Sequence, residues 1–176
     1  MDLFKTKTVI NENTFRELKK YLIPRKQKIV LLVADLLAVV LMIIAAMIFQ
    51  SYVFVVLLAV SILIYPLEYI LLANRYVKMN IKRLQESIHA KECEYTTSFN
   101  DTGFKLINHS TNAVVTIVYE DIARFVETQT YYAVFTKADQ FGVVNKYALK
   151  GVDERDELKN YLKHRCKGIR WERTAD

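Results

Sequence analysis

Two long runs of apolar residues dominate the pattern of the chain. Residues 29–49 read IVLLVADLLAVVLMIIAAMIF and residues 53–72 read VFVVLLAVSILIYPLEYILL, with only Gln50, Ser51 and Tyr52 between them. A helix needs ~20 apolar residues to cross the ~30 Å hydrocarbon layer of a bilayer, and both runs reach that length. Neither has the polar face of a helix lying on a soluble core. The pattern predicts a transmembrane hairpin over residues 29–74, with spans 29–49 and 53–72. Pro66 lies inside the second span, where it removes one backbone hydrogen bond and favours a bend.

Helical spacing continues on both sides. In NENTFRELKKYLIP, Asn13 is the expected cap, Phe15, Leu18, Tyr21 and Leu22 fall on one face, and Pro24 is the stop. A short strand, TKTVI, precedes it in the segment 1–28. After the second span, residues 75–91 continue as a juxtamembrane helix, with Val77, Ile81, Leu84 and Ile88 at heptad-like spacing.

From Glu92 the period changes to alternation. Six strand-like runs follow: EYTTSFN, FKLINHS, AVVTIVY, IARFVET, YYAVFTK and FGVVNKYAL, separated by DTG, TN, ED, QT and ADQ. In the third run Ala113, Val115, Ile117 and Tyr119 are expected to share one face. GVDERDELKNYLKHRC then reads as a helix capped by Asp153, with Leu158, Tyr161, Leu162 and Cys166 as its buried stripe. The fold class is therefore a membrane α-helical hairpin plus an α+β cytoplasmic domain over 92–168, with an antiparallel, pleckstrin-homology-like (PH-like) β-barrel capped by the C-terminal helix. Residues 169–176 are expected as a tail, with Trp171 either an interfacial anchor or a frayed end.

Charge orients the hairpin. The net charge of +6 is concentrated beside the apolar runs. Arg25, Lys26 and Lys28 precede the first, and Arg75, Lys78, Lys82 and Arg83 follow the second, while the connection holds no Lys or Arg. The positive-inside rule puts both termini in the cytoplasm of a multi-pass protein of the cell (inner) membrane. Residues 90–176 balance their charges and show no basic–aromatic groove, so no nucleic-acid partner is expected. The polar N-terminal stretch does not read as a signal peptide. Cys93 and Cys166, outside any CxxC pattern, read as free thiols.

Two acids interrupt the apolar runs. Asp35 lies seven residues beyond Lys28, and Glu68 seven residues before Arg75. At 1.5 Å per residue both sit ~10 Å below the border, at matching depth on neighbouring helices. Too few residues separate them for the two acids to mark opposite membrane edges. Three roles fit an intramembrane acidic pair: ion pairs or a shared proton locking the hairpin, a contact site for another membrane protein, or a proton or ion relay.

One set of words resembles a known family. "TIVYEDIARFVETQTYYAVF", "VVNKYALKG" and "ERDELKNYLKHR" are similar to the C-terminal pattern of the YcxB-like family of bacterial membrane proteins. The shared features are a Gly-containing turn at Asp101–Gly103, the segment Val118–Tyr119–Glu120–Asp121–Ile122, the Val-Glu-Thr at Val126–Thr128, a Tyr-rich strand and a Lys-containing strand before the last helix. The likeness runs from Thr6 to Arg165. This chain has Asn145 where the family often has Pro before the Lys. The resemblance implies a fold and a membrane location, but no substrate and no catalytic residue.

Four glycines, Gly103, Gly142, Gly151 and Gly168, cannot build a phosphate-cradling loop. His89 with Cys93 and His164 with Cys166 are fragments of metal-ligand pairs without the spacing of a structural zinc site. His109 reads as a solvated turn residue. No catalytic residue, metal or cofactor is expected. The chain reads as a non-enzymatic protein presenting an interaction domain to a protein partner in the membrane or cytoplasm, or to a second copy of itself. The alternatives are an immunity protein against membrane-active peptides and an accessory transporter subunit using Asp35 and Glu68.

Overall fold

The computed structural model describes residues 3–166 and 168–173. Residues 1–2 and 174–176, the outer ends of the two flanking segments, and residue 167 lie outside them. Two compact units form: one combines Met1–Leu18 with Asn80–Asp176, and the other is Lys19–Met79.

The first unit is α+β. It begins with β1 (Phe4–Ile10) and α1 (Glu12–Glu17). Asn11, rather than Asn13, caps α1: its side chain accepts the N–H groups of Asn13 and Thr14, and Thr14 completes the capping box. After the last turns of α4 (Tyr52–Ile88) come β2 (Cys93–Phe99), β3 (Gly103–Asn108), β4 (Val114–Val118), β5 (Ile122–Glu127), β6 (Tyr131–Thr136) and β7 (Phe141–Asn145). They are followed by α5 (Val152–Arg165) and β8 (Arg170–Arg173). Gly151, at φ 116°, stands at the start of α5 in place of the expected Asp153, which lies inside the first turn. Glu154 there accepts the Lys150 backbone N–H.

The strands make two sheets, ordered β1-β2-β3-β4 and β7-β6-β5-β8. All pairings are antiparallel except β5 with β8. The expected PH-like barrel is corrected here, because the two sheets do not close. A 3-10 turn at Tyr119–Asp121 separates β4 from β5. The edge of β5 that closure would use is occupied by β8, in the register Arg124↔Arg170 to Glu127↔Arg173. The β1 and β7 edges meet through a side chain, with Asn145 N–H donating to Thr8 Oγ1 at 3.0 Å.

Both sheets and α5 contribute to one core, in which Phe99, Phe104, Phe125, Leu158 and Leu162 are among the most buried side chains. Gly142 permits the sheets to approach: a Cβ there would lie 2.9 Å from Phe104 Cε2. In β4 the inward face is only half covered. Ile117 is buried and Tyr119 beyond it is too, but Ala113 and Val115 are exposed at this edge, where among the described residues no further strand pairs with β4. Trp171 is neither a membrane anchor nor a frayed end. Its ring meets Phe125 in a tilted contact, 4.3 Å between centroids, packed against the core.

The second unit holds α2 (Lys19–Leu22), α3 (Arg25–Phe49) and most of α4. Pro24 stops the chain before α3. Gln50 adopts the left-handed conformation that ends α3, and Phe49 and Phe54 stack across the turn at 5.5 Å. The helix α4 continues through Pro66 to Ile88, ~55 Å at 1.5 Å per residue.

The packing of β8 generates a stability prediction. Trp171→Ala should destabilise the α+β unit by about 2–4 kcal/mol, since a large aromatic is removed from a partly buried site. Thermal unfolding of the full chain in detergent would register this as a lowered Tm; an unchanged Tm would mean that β8 is not part of the folded unit.

Candidate functional site

The apolar faces of the hairpin define the first candidate. Arg25–Phe49 and the span within Tyr52–Ile88 have mean hydropathies of 3.0 and 2.3 over their most apolar windows. Only 0 % and 6 % of those windows are buried within the protein. Two helices are thus long and apolar enough to cross a membrane.

Asp35 is half-buried on α3 and Glu68 is exposed on α4. Neither carboxylate makes a hydrogen bond or ion pair among the described residues, with each other or with Lys28 or Arg75. Lys28 is engaged elsewhere. Its Nζ donates to the Lys20 carbonyl at 2.8 Å and stands 5.9 Å from the Tyr69 ring centroid, and the Tyr69 hydroxyl donates to the same carbonyl at 3.3 Å. That triangle ties α2 to the ends of both spans. Arg25, Lys26, Arg75, Lys78, Lys82 and Arg83 are exposed, and Lys82 pairs with Glu86 at 3.6 Å.

A second constellation lies in the α+β unit. Glu127, its side chain 12 % exposed, accepts from Lys146 Nζ at 3.1 Å and from Lys159 Nζ at 2.6 Å. Lys146 also donates to the Thr128 carbonyl and stands 4.9 Å from the Tyr132 ring centroid. One carboxylate thereby joins β5, the turn after β7 and α5. Burial alone would raise the Glu127 pKa, but the hydrogen bonds and charges of Lys159 and Lys146 outweigh it and hold the carboxyl below its ordinary range. In the sequence Glu127 stands out only as the middle of Val126–Glu127–Thr128. The partners lie 19 and 32 residues away, beyond any local pattern.

The Cys93 thiol donates to Asn108 Oδ1 at 3.1 Å. Cys166 is buried in the core, and burial pushes its thiol up to about 11, so it stays protonated at neutral pH. His109 is an exposed residue of the turn after β3, as expected, and its Nε2 lies 2.7 Å from the Thr96 hydroxyl. Among the described residues, no group of three or more His, Cys, Asp or Glu is placed to hold a metal ion. Two clefts were not visible in the sequence. One of about 1120 Å³ runs beside Tyr161, His164 and Cys166, and one of about 330 Å³ lies among Phe15, Leu84, Leu106 and Phe141.

These contacts predict opposite outcomes for two sets of acids. Asp35→Asn with Glu68→Gln removes charges that have no partner within the hairpin. Membrane abundance and Tm should hold or rise, because a charged side chain in a span costs up to about 3 kcal/mol; a fall would show that the acids brace the hairpin. Glu127→Gln should cost about 2–4 kcal/mol, because two half-buried ammonium groups lose their anion. The pKa of Glu127 is lowered on folding, so its contribution is present above the unfolded-state pKa of ~4.3 and is lost as pH falls through the lower folded value. The acid limb of the stability curve below about pH 4 should therefore be shallower in Glu127→Gln than in the parent.

No family model, curated protein or solved structure matches the chain, so the likeness to the YcxB-like family rests on the quoted motifs alone.

Proposed function

We infer that the chain is a non-enzymatic, two-span protein of the bacterial cell membrane that presents its α+β unit to the cytoplasm as an interaction module. The observation that carries this reading is the β1–β2 ladder. It runs from Phe4↔Phe99 to Ile10↔Cys93 and joins residues on either side of the hairpin in one sheet. Both ends of the hairpin therefore emerge on the same face of the bilayer, as an even number of spans requires. The side is assigned by Arg25, Lys26, Lys28, Arg75, Lys78, Lys82 and Arg83 at that border, against a connection with no Lys or Arg. The YcxB-like words support the same location. The two thiols fit a role as an interaction module rather than as nucleophiles: Cys166 is protonated and Cys93 is tied to Asn108.

Topology reporters test the assignment. A C-terminal green fluorescent protein fusion should fluoresce, and a C-terminal alkaline phosphatase fusion should be inactive in a bacterial host. Phosphatase inserted at Ser51 should be active. An active phosphatase at the C-terminus would overturn the orientation.

A further inference from the structure

The two sheets have four outer edges, and three of them are managed. The β1 and β7 edges abut through Thr8 and Asn145. The β8 edge carries Arg170, Glu172 and Arg173, with Arg170 and Glu172 paired at 3.1 Å, and charged residues discourage further strand addition. The β4 edge has no such protection. Its sequence, VVTIV, has no charge, proline or glycine. Val114, Val115 and Val118 are 56 %, 45 % and 40 % exposed. Edges of this kind are templates for another strand unless blunted.

The direction of the free backbone groups follows from the β3–β4 register. Tyr119 N–H donates to the Thr102 carbonyl and Asn108 N–H to the Ala113 carbonyl. Hydrogen-bonded pairs alternate along an antiparallel ladder, so Val115 and Ile117 also direct their backbone groups at β3. Val114, Thr116 and Val118 direct theirs outward. Three donors and the Val114 and Thr116 carbonyls thus point outward on every second residue, while the Val118 carbonyl already accepts the first bond of the turn Tyr119–Asp121.

We propose that β4 pairs with β4 of a second copy of this chain, antiparallel, about a two-fold axis through Thr116. In that register Val114 meets Val118, Thr116 meets Thr116 and Val115 meets Ile117 of the partner. The outward-directed residues pair only with each other, so each outward N–H and the Val114 and Thr116 carbonyls gain a partner, with the Val118 carbonyl shared between its turn and the partner's Val114 N–H. Like β-branched residues and paired threonines are favourable cross-strand neighbours. Glu120 and Asp121 fall beside Asn112 and Thr111 of the other copy, so no like charges oppose. The two four-stranded sheets become one of eight strands. The inference rests on the reading of the chain as a membrane-anchored interaction module and names its partner. A five-residue ladder buries less than the ~1,000 Å² of a stable soluble interface, so the dimer depends on confinement in one bilayer, which raises the effective concentration.

The test uses the full chain in native membranes. Facing residues of a hydrogen-bonded pair stand ~5.5 Å apart at Cα, within disulfide range. Thr116→Cys should give an oxidised dimer, while Lys5→Cys, on the far edge of the same sheet, and the parent with its two buried cysteines should not. Two differently tagged copies should co-purify, and at least tenfold less so with Thr116→Pro or Thr116→Lys. Proline is tolerated there because the lost N–H faces outward, and lysine places like charges on the axis. Undiminished co-purification of both variants, equal dimer from Lys5→Cys, a product with a different protein, or no dimer from Thr116→Cys would each overturn the proposal. The topology fusions report separately on the membrane reading, so a missing dimer with a correctly inserted chain rejects the pairing alone.

Discussion

The exposed apolar surface of α3 and α4 is the constraint on which everything else depends. Their backbones are satisfied internally, as any chain in hydrocarbon requires, and their side chains point outward with almost nothing of the protein over them. In water each such Val, Leu, Ile or Phe forgoes about 1.5–3 kcal/mol of burial. A bilayer removes that cost without any change in the fold. The turn at Gln50 and the stacked Phe49 and Phe54 hold the two spans to a short connection.

Seen from the α+β unit, the hairpin is an insertion. The first strand of the chain pairs with a strand that begins only at Cys93. The sheet of this unit is therefore completed only after both apolar helices have been made. Its own cohesion comes from the core between the sheets and α5, and from the Glu127 clamp that ties β5 to two distant lysines. These interactions are those of a packed core and a buried ion pair, whereas the apolar surface of α3 and α4 is left outside any such core.

Much of this was legible in the residue pattern, because periodicity reports local structure. The two spans, six strands and final helix lie within a few residues of where hydrophobic spacing put them. What periodicity cannot carry is pairing between distant segments. The barrel expectation failed because Arg170–Arg173 takes the edge of β5, and four residues with charges at three positions carry no strand signal. The Glu127 clamp escaped for the same reason. Asp35 and Glu68 were legible as unusual residues, yet their depth on facing helices did not bring them into contact: a matching rise along two helices does not fix the rotation of either. The caps also moved, from Asn13 to Asn11 and from Asp153 to Gly151, since several neighbouring polar residues satisfy the same local rule.

The most direct test of the membrane assignment is flotation after an alkaline wash. Membranes containing the full chain would be stripped with carbonate at high pH and floated through a density gradient. If α3 and α4 cross the bilayer, the chain rises with the lipid after the wash. If it stays at the bottom or in the wash while the lipid rises, the two apolar helices are covered by protein rather than by hydrocarbon, and the account of the hairpin is wrong.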